Sequence, residues 1–204
     1  MKSIAEQILE ELKQHEVGWC FSPKDFLTLA GRDALDKAFS RLTTDGKIRR
    51  IGRGLYDVPR YSELLKTTLG PDTNQIAKAI ARKHGWRIQP TGAHAANMLN
   101  LSTQVPAQAV YLSDGPTKEM RFGNRTITFK KTSPKKLAAG ELGGLLINAL
   151  KDFGRDRVTP ELIAKLQKQF DDRQKSELLA DARLGPDWIF EVIRKICNGE
   201  KPDE

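Results

Sequence analysis

An α+β fold in two parts is predicted for this 204-residue chain. Three observations predict it. Residues 22–58 set out a capped helix, a glycine turn, another helix and an arginine-studded hairpin. Strand-like runs gather between residues 86 and 131. From Pro134 onward, apolar residues recur at helical spacing. The expected division is into residues 1–60 and residues 61–204, the second part holding a small antiparallel sheet and several helices.

The first helix is expected from Ile4 to Gln14. Ser3 caps it and Glu6 stands three residues on, a capping box. Ile4, Ile8 and Leu12 form its apolar stripe, with Ala5 and Leu9 alongside. Gly18-Trp19-Cys20-Phe21 reads as a short extended piece. A second helix begins at Ser22, where serine as N-cap, Pro23 at the first position and Asp25 at the third make a start signal. Phe26, Leu27 and Leu29 cover it, and Gly31 ends it. A third helix spans Arg32 to Thr44. At about 100° per residue, Leu35, Ala38, Phe39 and Leu42 fall on one side. Asp33, Lys37, Ser40 and Thr44 fall on the other, with Arg41 beside them.

Asp45-Gly46 closes the third helix. Lys47–Ile51 and Leu55–Val58 are strand-like runs joined by Gly52-Arg53-Gly54, a hairpin signal. Ile48, Leu55 and Val58 are expected to pack inward, Tyr56 to join the core, and Asp57 to serve a turn or an ion pair. Two helices followed by a basic hairpin predict a winged helix-turn-helix, a DNA-binding module. Lys37, Ser40, Arg41 and Thr44 are the candidate base readers, since their side chains suit base edges in a major groove. Arg49, Arg50 and Arg53 are candidates for phosphates or the narrow minor groove. Ser22 and Lys24, with nearby backbone amides, are candidates for a phosphate clamp. Arg32, opening the third helix, completes the DNA-binding set.

Beyond the hairpin, Arg60 to Thr73 reads as a connector with some helix in SELLKTTLG. A helix over Thr73–Lys83 follows, with Ile76, Ala79 and Ile80 on one side. Trp86–Gln89 reads as a strand, and Thr91 as the cap of a short helix in GAHAANMLN. Strands are expected near Ala109–Leu112, Lys118–Phe122 and Arg125–Lys131, with Gly123-Asn124 turning between the last two. Leu142, Leu145, Leu146, Ala149 and Leu150 mark the next helix. Thr159-Pro160 opens another with Leu162, Ile163 and Leu166. Leu178, Leu179 and Ala182 mark a third, and Trp188, Ile189, Val192, Ile193 and Ile196 a fourth.

The net charge is +8 and the pI about 9.5, a balance that favours a polyanionic partner. Lys and Arg outnumber Asp and Glu by 12 to 4 over residues 61–140, against 11 to 9 before and 11 to 13 after. Lys118, Arg121, Arg125, Lys130, Lys131, Lys135 and Lys136 crowd the predicted hairpin and its exit. They are a candidate second basic surface, for DNA or for docking a partner.

Several classes are disfavoured. No apolar run reaches the roughly 18 residues of a membrane span, and the N-terminus lacks a signal-peptide core, so a cytoplasmic protein without membrane contact is expected. Cys20 and Cys197 have no neighbouring ligands at metal spacing. Among His15, His84 and His94, only His94 lies in a distinctive segment, and no nucleophile or acidic orienter accompanies it. Gly140 and Gly143-Gly144 lack the lysine of a phosphate loop. Neither an enzyme, a metal nor a cofactor is expected.

The segment FSRLTTDGKIRRIGRGLYDVP resembles the winged-helix half of AbiEi-type antitoxins. IQPTGAHAANMLNLSTQVPAQAVYLSDGP, ITFKKTSPKKLA, LLINALKDFG and DWIFEVIRKI are similar to the second half of an uncharacterised subgroup of these regulators, so the resemblance covers nearly the whole chain. It implies a bacterial type IV toxin–antitoxin system, a nucleotidyltransferase-like toxin as partner, and repression of the protein's own promoter through inverted repeats in double-stranded DNA. The alternative is a protein-interaction module that docks or neutralises a partner without reading DNA; Asp33 and Asp36 on the third helix favour it, whereas Lys37 and Arg41 oppose it.

Overall fold

A computed structural model describes residues 2–199. The chain is mixed α+β and divides into two compact units, Met1–Trp86 and Arg87–Glu204.

In the first unit, α1 (Ile4–Leu12) leads to β1 (Cys20–Phe21), a 3-10 turn (Pro23–Phe26) and α2 (Arg32–Thr44). Then come β2 (Arg49–Gly52), β3 (Leu55–Asp57), β4 (Arg60–Ser62), β5 (Thr67–Leu69) and α3 (Thr73–His84). The capping box of α1 is present: the Ser3 amide donates to the Glu6 carboxylate at 2.7 Å and the Glu6 amide to Ser3 Oγ at 3.3 Å. β1, β3 and β2 form an antiparallel sheet in that order. Ile8, Phe21, Phe26, Leu35, Phe39, Leu42 and Ile48 are its buried core. Phe21, Phe26 and Phe39 meet at ring separations of 5.5 to 5.9 Å, and Tyr56 lies 4.9 Å from Phe39, so the half-buried tyrosine does pack on the core.

Four sequence expectations need correction in this unit. Residues 22–30 do not form a full helix. The turn is one 3-10 segment closed by i to i+3 bonds (Asp25 N to Ser22 O, 3.0 Å), and Leu27 is half exposed, so little apolar burial sustains a longer helix. Gly31 instead stands as the N-cap of α2. Val58 lies just beyond β3 and is exposed rather than inward. SELLKTTLG is no helix: β4 and β5 pair antiparallel, Arg60 opposite Leu69 and Ser62 opposite Thr67, with Lys66 in the left-handed region at φ 47° to make the turn.

The fourth correction concerns the boundary, which falls after Trp86 rather than after residue 60. Hydrogen bonds tie α3 to the helices and sheet before it. Arg82 donates to the Cys20 carbonyl (2.6 Å) and to Asp25 (3.1 Å). Gln75 reaches Glu16, Lys24 reaches the Lys83 carbonyl (3.2 Å), and Lys83 reaches the Arg53 carbonyl (2.7 Å). With this boundary the basic excess no longer sits in one part. Lys and Arg exceed Asp and Glu by 15 to 11 in the first unit and by 19 to 15 in the second.

The second unit contains β6 (Ile88–Thr91), α4 (Gly92–Met98), β7 (Gln108–Ser113), β8 (Lys118–Phe122) and β9 (Arg125–Lys131). A 3-10 turn (Pro134–Leu137), α5 (Glu141–Phe153), a second such turn (Arg155–Arg157), α6 (Pro160–Gln169), α7 (Asp172–Ala182) and α8 (Asp187–Asn198) follow. Its sheet has the order β6-β7-β9-β8 and is mixed rather than wholly antiparallel, because β7 and β9 run parallel. Burial explains the order. Ala109, Tyr111, Ile127 and Phe129 put β7 and β9 at the apolar centre, which leaves the charged β8 to the edge.

The late helices close around Leu146, Leu150, Leu166, Leu178, Ile189, Ile193 and Ile196. Gly143 and Gly144 permit close approach on both sides of α5. A Cβ on Gly143 would fall on the Asp181 side chain, and one on Gly144 on the Gln89 carboxamide. Among the described residues, no helix is long and apolar enough to cross a membrane.

Candidate nucleic-acid interface

The apolar stripe of α2 rotates its other side outward, and Lys37, Ser40, Arg41 and Thr44 are all exposed there. Thr44 Oγ1 donates to the Ser40 carbonyl at 3.1 Å, a local bond that leaves its oxygen free to accept. Arg41 is held only loosely: its Nε lies 3.9 Å from Asp45 and most of its side chain is exposed. Arg32 makes a closer pair with Asp36, 2.9 Å away.

A groove of about 520 Å³ runs between α2 and the β2–β3 hairpin. Arg32, Asp36, Ser40, Thr43 and Thr44 line it from the helix; Arg50, Arg53, Gly54 and Tyr56 line it from the hairpin; Lys83 lines it from α3. Arg50 and Arg53 are exposed at this rim, and Gly54, at φ 64°, makes the tight return after Arg53. One carboxylate, Asp36, faces four cationic side chains. The groove is thus an open, net-positive channel beside a helix face rich in donors and acceptors, the chemistry that phosphates and base edges require.

Lys83 was missed by reasoning from sequence. Its signal was the basic run Arg82-Lys83-His84, but that run lies beyond the hairpin and only packing of α3 brings it here.

Other expected contacts are used elsewhere. Arg49 donates to Asp57 twice, at 2.9 and 2.5 Å, and to the Leu69 carbonyl at 3.1 Å. The bond to Asp57 holds the guanidinium above its ordinary pKa, and Asp57 is the ion-pair residue expected. Ser22 is buried, and its amide and hydroxyl both donate to Asp25, at 2.8 and 3.1 Å. It stands at the N-cap of a single 3-10 turn, with both donors used within the fold. Lys24 is exposed and bonds the Lys83 carbonyl.

The candidate second basic surface is divided by strand register. Lys118 stands opposite Phe129, and Arg125 opposite Phe122, so with period-two alternation Lys118, Arg125 and Lys131 share one face. Arg121 and Lys130 fall on the opposite face. Lys135 and Lys136 belong to neither strand; they line a separate cleft. All seven are exposed, but they do not form one patch. No group of three or more His, Cys, Asp or Glu among the described residues is placed to hold a metal ion.

In comparisons with known proteins, no curated protein matches. A crystal structure of the RV2827C protein from Mycobacterium tuberculosis aligns over 97% of this chain and 77% of that one, at 14% identity and a TM-score of 0.42. A model for a family of unknown function, DUF6088, matches residues 7–178. With so much of its length matched, the chain belongs to the DUF6088 family.

Proposed function

We propose that the protein is a sequence-specific DNA-binding repressor whose first unit works as a winged helix-turn-helix. In this reading α2 enters the major groove and Lys37, Ser40, Arg41 and Thr44 meet base edges, while Arg50 and Arg53 on the hairpin grip phosphates beside it. Lys83 adds a third cation to that grip, and Arg32 and Lys24 lie at its margin. Arg49 and Ser22 take no part, being bonded within the fold. The observation that carries the reading is the groove between α2 and the hairpin, where one carboxylate faces four cations next to the exposed helix face. The test is a binding titration against the DNA upstream of the protein's own gene. Specific binding should exceed binding to scrambled DNA by about a thousandfold or more, and equal affinity for both would overturn it.

The resemblance in sequence to AbiEi-type antitoxins extends the proposal. The operator would be an inverted repeat, and the protein would counteract a nucleotidyltransferase-like toxin encoded beside it in a bacterial cytoplasm. Co-expression with such a neighbouring gene tests this: rescue of growth supports it, and undiminished toxicity removes the antitoxin role while leaving repression standing.

One observation favours an interaction module instead. Arg32 and Arg41 each have a carboxylate within 4 Å on the same helix turn, which lowers the net charge α2 offers to DNA. Salt-insensitive association with a protein partner and no DNA affinity would select that reading.

A further inference from the structure

The second unit holds a cleft of about 480 Å³ bordered by β6, the Pro134–Leu137 turn, α5 and the Leu184–Pro186 loop ahead of α8. Small-molecule sites commonly span about 300–1,000 Å³. Lys135, Lys136 and Lys151 contribute three ammonium groups, and no aspartate or glutamate lines the cleft. Among the described residues, none of the three lysines has an ion-pair partner. The positive charge of Lys136 adds to burial in pushing the Lys151 ammonium below the ordinary lysine range. Like charges lining one recess that no carboxylate lines form a site that an anion stabilises.

The rest of the cleft limits what that anion is. Ile147 and Leu184 give it an apolar wall, which a bare inorganic ion would not use. Gln89 is buried, and its carboxamide is fixed by donation to the Ala139 carbonyl at 2.7 Å. A fixed amide, an apolar wall and three cations lining one cleft fit a ligand with a polyanionic end and a flat or apolar end.

We propose that this cleft binds a small phosphorylated ligand of mononucleotide size, its phosphates held by Lys135, Lys136 and Lys151 and its organic moiety seated against Ile147 and Leu184. The site lies wholly in the second unit and does not depend on the DNA-binding reading of the first.

The experiment is calorimetric titration of the full chain with ATP, GTP and inorganic pyrophosphate. Saturable one-site binding of at least one of them is expected. Lys136→Gln and Lys151→Gln, both at exposed positions, should each weaken it by about tenfold, the loss of one charge-assisted contact, with unchanged melting curves. Leu184→Ala should weaken the nucleotides and leave pyrophosphate unaffected. Failure of all three probes to bind, or binding indifferent to both lysine changes, overturns the site. Nucleotide binding indifferent to Leu184→Ala overturns the placement of the organic moiety. Loss of DNA affinity and salt slope in a Lys135, Lys136, Lys151 triple glutamine variant, without nucleotide binding by the native chain, would make the cleft a nucleic-acid backbone surface and overturn the small-ligand proposal.

Discussion

Arg49 and Asp57 are joined across the β2–β3 hairpin by two hydrogen bonds, Nε to Oδ1 at 2.9 Å and Nη2 to Oδ2 at 2.5 Å. The Asp57 side chain is 4% exposed and that of Arg49 31%. Removing one partner leaves a buried charge unpaired, which costs about 3–5 kcal/mol. Arg49→Ala should therefore lower stability in urea by about 3 kcal/mol or more, yet leave the salt dependence of DNA binding by the folded fraction unchanged. A flattened salt slope at native stability would return Arg49 to the DNA-contacting set.

Arg50 and Arg53 should behave in the opposite way. Each is exposed at the groove rim, so each alanine change should leave the melting curve in place. Each should also flatten the plot of log affinity against log salt by about 0.9. Substitutions on α2 should differ again: Ser40→Ala or Lys37→Ala should cost about 1–3 kcal/mol at one base-pair position and little elsewhere. Uniform losses across all operator variants would show that α2 lies on the backbone rather than in the groove.

Cys20 is completely buried, and burial, followed by the negative charge of Asp57, pushes its thiol pKa up from 9.0 to about 12. The folded chain thus holds this proton more tightly than the unfolded one. Its share of stability is full below the ordinary thiol value and is lost as pH rises towards the folded one. The stability gap between the native chain and Cys20→Ala should narrow from pH 9 upward, and the native thiol should resist alkylation at pH 8.5. A gap that stays constant to pH 11 would contradict the burial argument.

Gly144 sits in α5 where a Cβ would meet the Gln89 carboxamide. Alanine would improve helix propensity yet overpack this contact. Gly144→Ala should destabilise the second unit by about 1–3 kcal/mol, read from thermal unfolding, and a stabilised variant would mean that Gln89 swings away freely.

Local pattern carried much of the fold. Ser3 and Glu6 announced α1, the Leu35, Phe39 and Leu42 spacing announced α2, and the Leu145–Leu150 run announced α5. Residues 22–30 misled because Ser22, Pro23 and Asp25 are start signals that serve a single 3-10 turn as well as a helix. SELLKTTLG, read as a connector with some helix, instead forms a hairpin whose turn leaves Leu64 and Leu65 exposed.

The amino-acid order by itself determined which residues face outward on α2, where the arginine hairpin turns, and the α+β character of the whole chain. These depend on periodicity and turn chemistry, which act over a few residues. The tertiary structure alone decided where the cations gather and which are paired. It spent Arg49 on Asp57, brought Lys83 to the groove, split the basic residues of β8 and β9 between two faces, and gathered Lys135, Lys136 and Lys151 around one cleft. Charge pairing and convergence depend on distances between residues far apart in the chain, and only packing sets those distances.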